Sequence, residues 1–215
     1  MLNMKKLITI AAALLLGFAA NAQVISTLGY TFDWAPMKNE GRNYLTCEMS
    51  GLYAGALYNY VLADFGLGVA GGAYVSFTTG TDRRPNYGKD VHREGNYITR
   101  EGHRHIAITI PAYVTFTKEL GPGALFAYAG PAFQGGLLFQ QYTKTNFEGN
   151  HFSGNYFNRN YSDRPCDLKV SFGAGYRWKF LQFDLGFDFG LIDRDPSYDY
   201  SYRIHTFKLG VSYVY

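Results

Sequence analysis

His103 and His105 flank Arg104, a spacing that puts both imidazoles on one face of an extended strand and could begin a metal site. Nothing in the sequence completes it. His92, His151 and His205 fall in or beside polar stretches, and Cys47 and Cys166 form no cluster with them. No metal and no cofactor are therefore expected. Hydrolysis would need a nucleophile beside a base. Ser153 lies near His151, and Ser197 and His205 lie near Asp193 and Asp195, but these are common residues of polar loops without a sharp nucleophile motif. No catalytic residue is expected, and the chain reads as a non-enzyme.

A different set of charged residues stands inside regular alternation. From Cys166 to Phe180 every even-numbered residue is apolar, and the odd ones are Asp167, Lys169, Ser171, Gly173, Gly175, Arg177 and Lys179. Side chains on a strand alternate between faces, so this run has one apolar side and one side of charge and glycine. At about 3.3 Å per residue it is long enough to cross the ~25 Å apolar band of an outer-membrane barrel. The same alternation recurs near 24 to 34, 44 to 60, 65 to 79, 104 to 118, 123 to 141, 181 to 193 and 204 to 215, which makes eight strands. Connections near 61 to 64, 119 to 122 and 180 to 181 are tight. Those near 35 to 43, 80 to 103, 142 to 165 and 194 to 203 are longer and polar. Short turns at one rim and long loops at the other predict an all-β, eight-stranded, antiparallel up-and-down transmembrane barrel.

Alternation alone leaves open which face is inside, because a soluble lipocalin-like barrel has the same period with its apolar side inward. Size decides it. Leu181, Phe183, Leu185, Phe187, Phe189 and Leu191 fill one face of the seventh strand with bulk that an eight-stranded interior has little room for, whereas the other face carries Gly186 and Gly190 among its charges. The apolar face is thus expected to meet lipid and the polar face to fill the lumen. Glu48, Lys169, Arg177, Asp184, Asp188 and Lys208 are then lumen charges, and an unpaired charge there would be costly, so they are expected to form an ion-pair network that plugs the barrel. Counting back from a turn at Phe180 and Leu181 pairs Arg177 with Asp184.

Faces and rims give further expectations. Cys47 shares a face with Leu45, Met49 and Leu57 and so should point outward, like Cys166, which argues against a disulfide between opposite walls. Phe32, Trp34, Phe77 and Phe139 should form an outer aromatic girdle, with Tyr176, Trp178, Phe183 and Tyr213 at the other rim. Pro111 should oppose Gly130, next to Pro131, at one shared bend or bulge. In the loops, Arg83 and Arg84 suit contacts with lipopolysaccharide phosphates or ordinary solvated charge. Phe152, Tyr156 and Phe157 suit surface contacts with carbohydrate or protein, or a self-packed cap on the barrel.

The amino terminus reads as an export signal: Lys5 and Lys6, an apolar run from Leu7 to Ala20, and Ala20-Asn21-Ala22 as a cleavage site. The expected organisation is a signal peptide over 1–22 and one barrel domain over 23–215. Without Lys5 and Lys6 the balance is 18 basic against 17 acidic residues, which gives no reason to expect a nucleic-acid partner. A mean hydropathy of -0.17 with 25 glycines suits a barrel, whose membrane signal lies in alternation rather than in long apolar runs.

Near the end of the chain, Phe207, Leu209, Val211, Tyr213 and Tyr215 alternate with Lys208, Gly210 and Ser212. This looks like the carboxy-terminal strand read by the machinery that inserts outer-membrane barrels. With the stretch from Gly173-Ala174-Gly175-Tyr176-Arg177-Trp178 through Asp184-Leu185-Gly186-Phe187, it resembles the small eight-stranded outer-membrane barrel proteins of the PorT-like and OmpX/OmpA-like kind, over Gln23 to Tyr215. The resemblance implies an outer-membrane location, contact with membrane lipid, lipopolysaccharide and the insertion machinery, and loops for surface contact, adhesion or envelope integrity, with an extracellular protein as a candidate partner. Its PorT-like side implies a component of a protein secretion or assembly apparatus instead. A lipid-A-modifying enzyme is the third reading. Family members share the barrel and differ in their loops, so architecture is implied more strongly than activity.

Overall fold

The computed structural model describes residues 22–39, 42–83, 92–93, 96–145, 149–152, 154–155, 157, 164–195 and 200–215. Eight long strands follow the alternation: β1 (Ala22–Asn39), β2 (Arg42–Val61), β3 (Leu67–Arg83), β4 (Asn96–Leu120), β5 (Gly123–Thr145), β6 (Cys166–Trp178), β7 (Leu181–Gly190) and β8 (His205–Val214). Each pairs antiparallel with its neighbour in sequence, except that β8 joins β1, from Ile25 opposite Val214 to Trp34 opposite His205. The β5–β6 pairing is continuous as well, so the sheet closes on itself without an edge. Short segments His92–Arg93, Gly149–Phe152 and Tyr200–Tyr202 extend the wall at one end.

The two rims differ as expected, but the strands run further into the outer connections than the alternation indicates. β1 and β2 stay paired out to Asn39 and Arg42, where a long loop over 35 to 43 was expected. The other rim has three tight turns, each with a residue at positive φ: Gly66 (92°), Gly121 (61°) and Lys179 (56°). The left-handed conformation at Lys179 makes Lys179-Phe180 the hairpin loop and corrects the register. Arg177 lies opposite Gln182, and Asp184 lies opposite Gly175, two residues from the pairing first expected. The same offset at the turn before Gly123 places Pro111 opposite Ala132 rather than Gly130. β4 and β5 do carry a bulge, but between Ile106 and Ala107, with Leu137 as the extra residue of β5, and not at the prolines.

Bulky apolar side chains cover the outside of the wall: Leu28 is 62% exposed, Val114 56% and Leu185 50%. Around the closed sheet this makes a continuous apolar belt. The periplasmic-type rim with the tight turns ends in packed aromatics, Phe180 against Tyr213 (5.2 Å between ring centroids) and Tyr213 against Tyr215 (4.6 Å). At the other rim Phe32, Trp34 and His205 lie side by side.

Two face assignments change. On β2 the inward residues are Cys47, Met49, Tyr53 and Leu57, all buried, so Glu48 lies on the outward face, the one that carries Leu52, rather than in the lumen. Apolar residues occupy both faces of β2, which removes the contrast that fixes direction elsewhere. Cys47 therefore points inward and Cys166 outward, and no disulfide joins them. On β5 the bulge at Leu137 switches parity, so Phe139 turns from the expected outer girdle into the lumen, where it is 3% exposed.

Candidate functional site: the filled lumen and its cap

Inward faces rich in glycine leave seats for large side chains from across the barrel, and tyrosines occupy them. The Tyr53 ring lies over Gly29 and Gly210, and the Tyr128 ring over Gly173 and Gly186; a Cβ at any of these glycines would collide with it. Tyr53 and Tyr74 meet edge to face at 5.6 Å, and Tyr113 stacks on Tyr128 at 4.7 Å. With Ile25, Leu57 and Ala70 they form an apolar plug toward the tight-turn end. The sequence reading missed this layer, although the glycines were its signal.

Beside the tyrosines lies the charged layer. Lys208 Nζ sits 2.9 Å from Asp188 Oδ1. Lys169 Nζ donates to Thr206 Oγ1 at 2.9 Å, and Thr206 Oγ1 donates to Asp33 Oδ1 at 2.7 Å. Thr78 Oγ1 donates to the second oxygen of Asp33 at 3.0 Å, and His105 Nδ1 lies 3.8 Å from it. Asp184 is buried nearer the tight-turn end, in the tyrosine layer beside Tyr74 and Tyr128. Three of the expected lumen charges, Lys169, Asp188 and Lys208, thus share the charged layer, and Asp184 lies in the layer next to it. Asp33 was not foreseen among them, although its place between outward-facing Phe32 and Trp34 gave the signal.

Arg177 stands apart at the tight-turn end. Its Nη1 donates to Gln23 Oε1 at 2.8 Å, and its Nη2 lies 3.6 Å from Glu119 Oε1. It is a rim residue and has no pairing with Asp184.

The opposite end is closed by side chains from the outer connections. Arg194, between β7 and β8, is fully buried. Its Nη2 donates to Gln134 Oε1 at 2.9 Å and lies 3.9 Å from Asp167 Oδ2, and its guanidinium covers the Phe157 ring at 5.7 Å. Phe157 in turn stacks on Phe139 at 5.9 Å, and Tyr202 and Ile204 complete an apolar layer with Cys47 and Met49. Phe157 therefore belongs to a self-packed cap, which corrects its assignment to surface contact. Asn155 fixes that segment, accepting from the Phe139 and Phe157 amides and donating to the Leu137 carbonyl. No alternation marks Arg194, so its insertion had no signal in the sequence. Arg83 ends β3 and Phe152 lies in the short strand paired with β5, while Arg84 and Tyr156 lie outside the described residues.

His103 and His105 do share the inward face. His103 Nδ1 lies 3.3 Å from Cys47 Sγ and its ring stacks on Phe139 at 5.1 Å, so it is packed into the cap. Among the described residues no group of three or more His, Cys, Asp or Glu converges as a metal site. The lumen keeps a cavity of about 40 Å³ toward the tight-turn end and one of about 20 Å³ among Asp33, Asp188 and Lys208. A buried water needs ≳10–15 Å³ measured this way, so these spaces suit isolated waters and not a continuous column.

No protein-family model matches the chain, and no curated protein is detectably similar to it in sequence. The fold is similar to that of Ail, the attachment invasion locus protein of Yersinia pestis, at 14% identity over 91% of this chain and 99% of that one, with a TM-score of 0.43. It is also similar to the Neisserial surface protein A, at 10% identity over 88% and 96% of the two chains (TM-score 0.40). A third likeness is to the translocator domain of the autotransporter NalP from Neisseria meningitidis, at 12% identity over 95% and 96% (TM-score 0.36). The eight-stranded closure described above rests on this chain's own strand pairing.

Proposed function

We propose that the protein is an integral outer-membrane barrel with a closed lumen, a non-enzymatic scaffold that holds its outer connections at the cell surface for contact or envelope integrity. One observation carries this reading: the chain is inside out relative to a soluble protein. Leu28, Leu52 and Phe65 are 62%, 61% and 68% exposed, while Asp167, Lys169 and Arg194 are fully buried. Half-exposed bulky residues around the whole wall would aggregate in water and are at home in hydrocarbon. Among the described residues, tyrosine, ion-pair and cap layers follow one another along the interior with cavities of about 40 and 20 Å³ between them, which favours a scaffold over a pore. On this reading its partners are membrane lipid and lipopolysaccharide, the latter at the rim where β3 ends, together with the insertion machinery.

The test is to fractionate cells, run the outer-membrane fraction on a denaturing gel with and without boiling, and record the purified barrel in a planar bilayer. A heat-dependent mobility shift, cleavage of the outer connections by protease added to intact cells, and no steady conductance are expected. Recovery as a soluble periplasmic protein, or a stable open channel, would overturn the reading.

A further inference from the structure

The apolar belt is not uniform. Toward the tight-turn rim, Ala127 of β5 pairs directly with Ala174 of β6, and these two small residues form the floor of a trough. Phe116 of β4 flanks it on one side and Leu185 of β7 on the other. One row nearer the rim stand Leu125, Tyr176 and Phe183, and one row further away Phe172 and Phe187 stack on each other at 5.8 Å. The result is an open groove of about 670 Å³ on the outside of the wall, inside the ~300–1,000 Å³ range of small-molecule sites. Between Phe116 of β4 and Leu185 of β7 it spans about 14 Å at ~4.8 Å per strand, room for part of an extended acyl chain.

Charge at one end of the groove completes the picture. Lys118 lines it and is exposed, while the neighbouring Glu119 pairs with Arg177. The Tyr176 hydroxyl lies over Gly123 on the same side, and Lys179 stands just beyond, over the Trp178 ring at 5.3 Å. An ammonium group and a phenol on the rim side, with an apolar trough beside them, match a phosphate headgroup followed by a hydrocarbon chain. Resting on the membrane reading above, we infer that this groove holds one glycerophospholipid of the periplasmic leaflet, with an acyl chain over Ala127 and Ala174 and its phosphate at Lys118. The leaflet follows from the groove's place in the half of the wall nearer the tight-turn rim.

The test is native mass spectrometry of the protein extracted in mild detergent, followed by titration with palmitoyl-oleoyl phosphatidylethanolamine and phosphatidylglycerol. The wild type should retain one phospholipid. Filling the trough with Ala127→Phe and Ala174→Phe should weaken binding about tenfold, the loss expected when roughly two methylenes go unburied. Lys118→Glu, at an exposed position, should weaken it about fivefold without touching the trough. Heat-modifiability is followed in every variant. Should the filled variant fail to fold, Lys118→Glu decides alone. A barrel that shifts on heating but retains no phospholipid, retains lipopolysaccharide instead, occludes the groove by dimerising, or binds equally well as Lys118→Glu overturns the groove and leaves the membrane reading standing. A wild type that never enters the membrane overturns both.

Discussion

Lys208 Nζ lies 2.9 Å from Asp188 Oδ1 on neighbouring strands, with both side chains buried inside the barrel. Gly186 is the direct cross-strand partner of Lys208, and its missing side chain lets the lysine stem reach across toward Asp188. In such an interior the pair has little water to fall back on, so the state to avoid is one partner without the other. Asp188→Ala should destabilise the barrel by about 3–5 kcal/mol. Removing both charges with Asp188→Leu and Lys208→Met should cost much less than Asp188→Ala alone. Urea unfolding in detergent, read from the heat-modifiable band, measures both; equal losses in the single and double variants would argue against a coupled pair.

The tyrosine seats predict a steric effect of similar kind. A Cβ at Gly210 would meet the Tyr53 hydroxyl of β2 and the Asp184 carboxylate of β7. Gly210→Val should therefore destabilise by about 1–3 kcal/mol, the usual cost of overpacking. Tyr53→Leu in the same chain should recover part of the loss by vacating the seat. At Gly121, where nothing lies within 4 Å of an added Cβ, any cost of Gly121→Ala comes from its φ of 61° and not from packing. The same unfolding assay compares the three variants.

How far the fold was legible follows from the same residues. β7 shows its faces plainly, because Phe183, Leu185 and Phe187 alternate with Asp184, Gly186 and Asp188, and outward and inward demands are opposite in kind. β2 does not, since Tyr53 and Leu57 inside and Leu52 and Tyr58 outside are all apolar; Glu48 and Cys47 were assigned to the wrong faces for that reason. Phe139 was misplaced because a one-residue bulge at Leu137 inverts parity, and alternation cannot register an inserted residue that is itself apolar. Arg177 was mispaired because the turn residue is a lysine at positive φ, where composition would have suggested glycine. The cap was legible only as one of two roles open to Phe157, and not at all for Arg194. Arg194 and Phe157 enter the lumen from connections with no period, and only tertiary contacts with Gln134, Asp167 and Phe139 place them.

Arg194 also sets an expectation for the cap. It ties the β7–β8 connection to Gln134 on β5 and Asp167 on β6, and its guanidinium covers Phe157 from the connection between those strands. Arg194→Ala removes these ties at once and leaves Asp167 buried without its cation. A hydrogen bond to a charged group is worth about 1.5–3 kcal/mol, so the cap should open before the wall does. Limited proteolysis should cut the connection over 191–204 much faster than in the wild type, while the heat-dependent gel shift persists. Loss of the gel shift itself would mean that Arg194 holds the whole barrel and not only its cap.

The two cysteines report the face assignments directly. Cys47 is 1% exposed inside the cap, with its Sγ 3.3 Å from His103 Nδ1, whereas Cys166 opens β6 on the outward face. A polar maleimide added to the folded protein should modify Cys166 and leave Cys47 unreacted until denaturation, so mass spectrometry should find one adduct before unfolding and two after. Reductant should not change the mobility of the folded band, because no disulfide joins the two cysteines. Combining the probe with Arg194→Ala tests the cap at the same time: once the cap is open, Cys47 should react in the folded barrel at a rate approaching that of Cys166. Labelling of Cys47 in the wild type at the rate of Cys166 would place β2 the other way round, with Glu48 returned to the lumen.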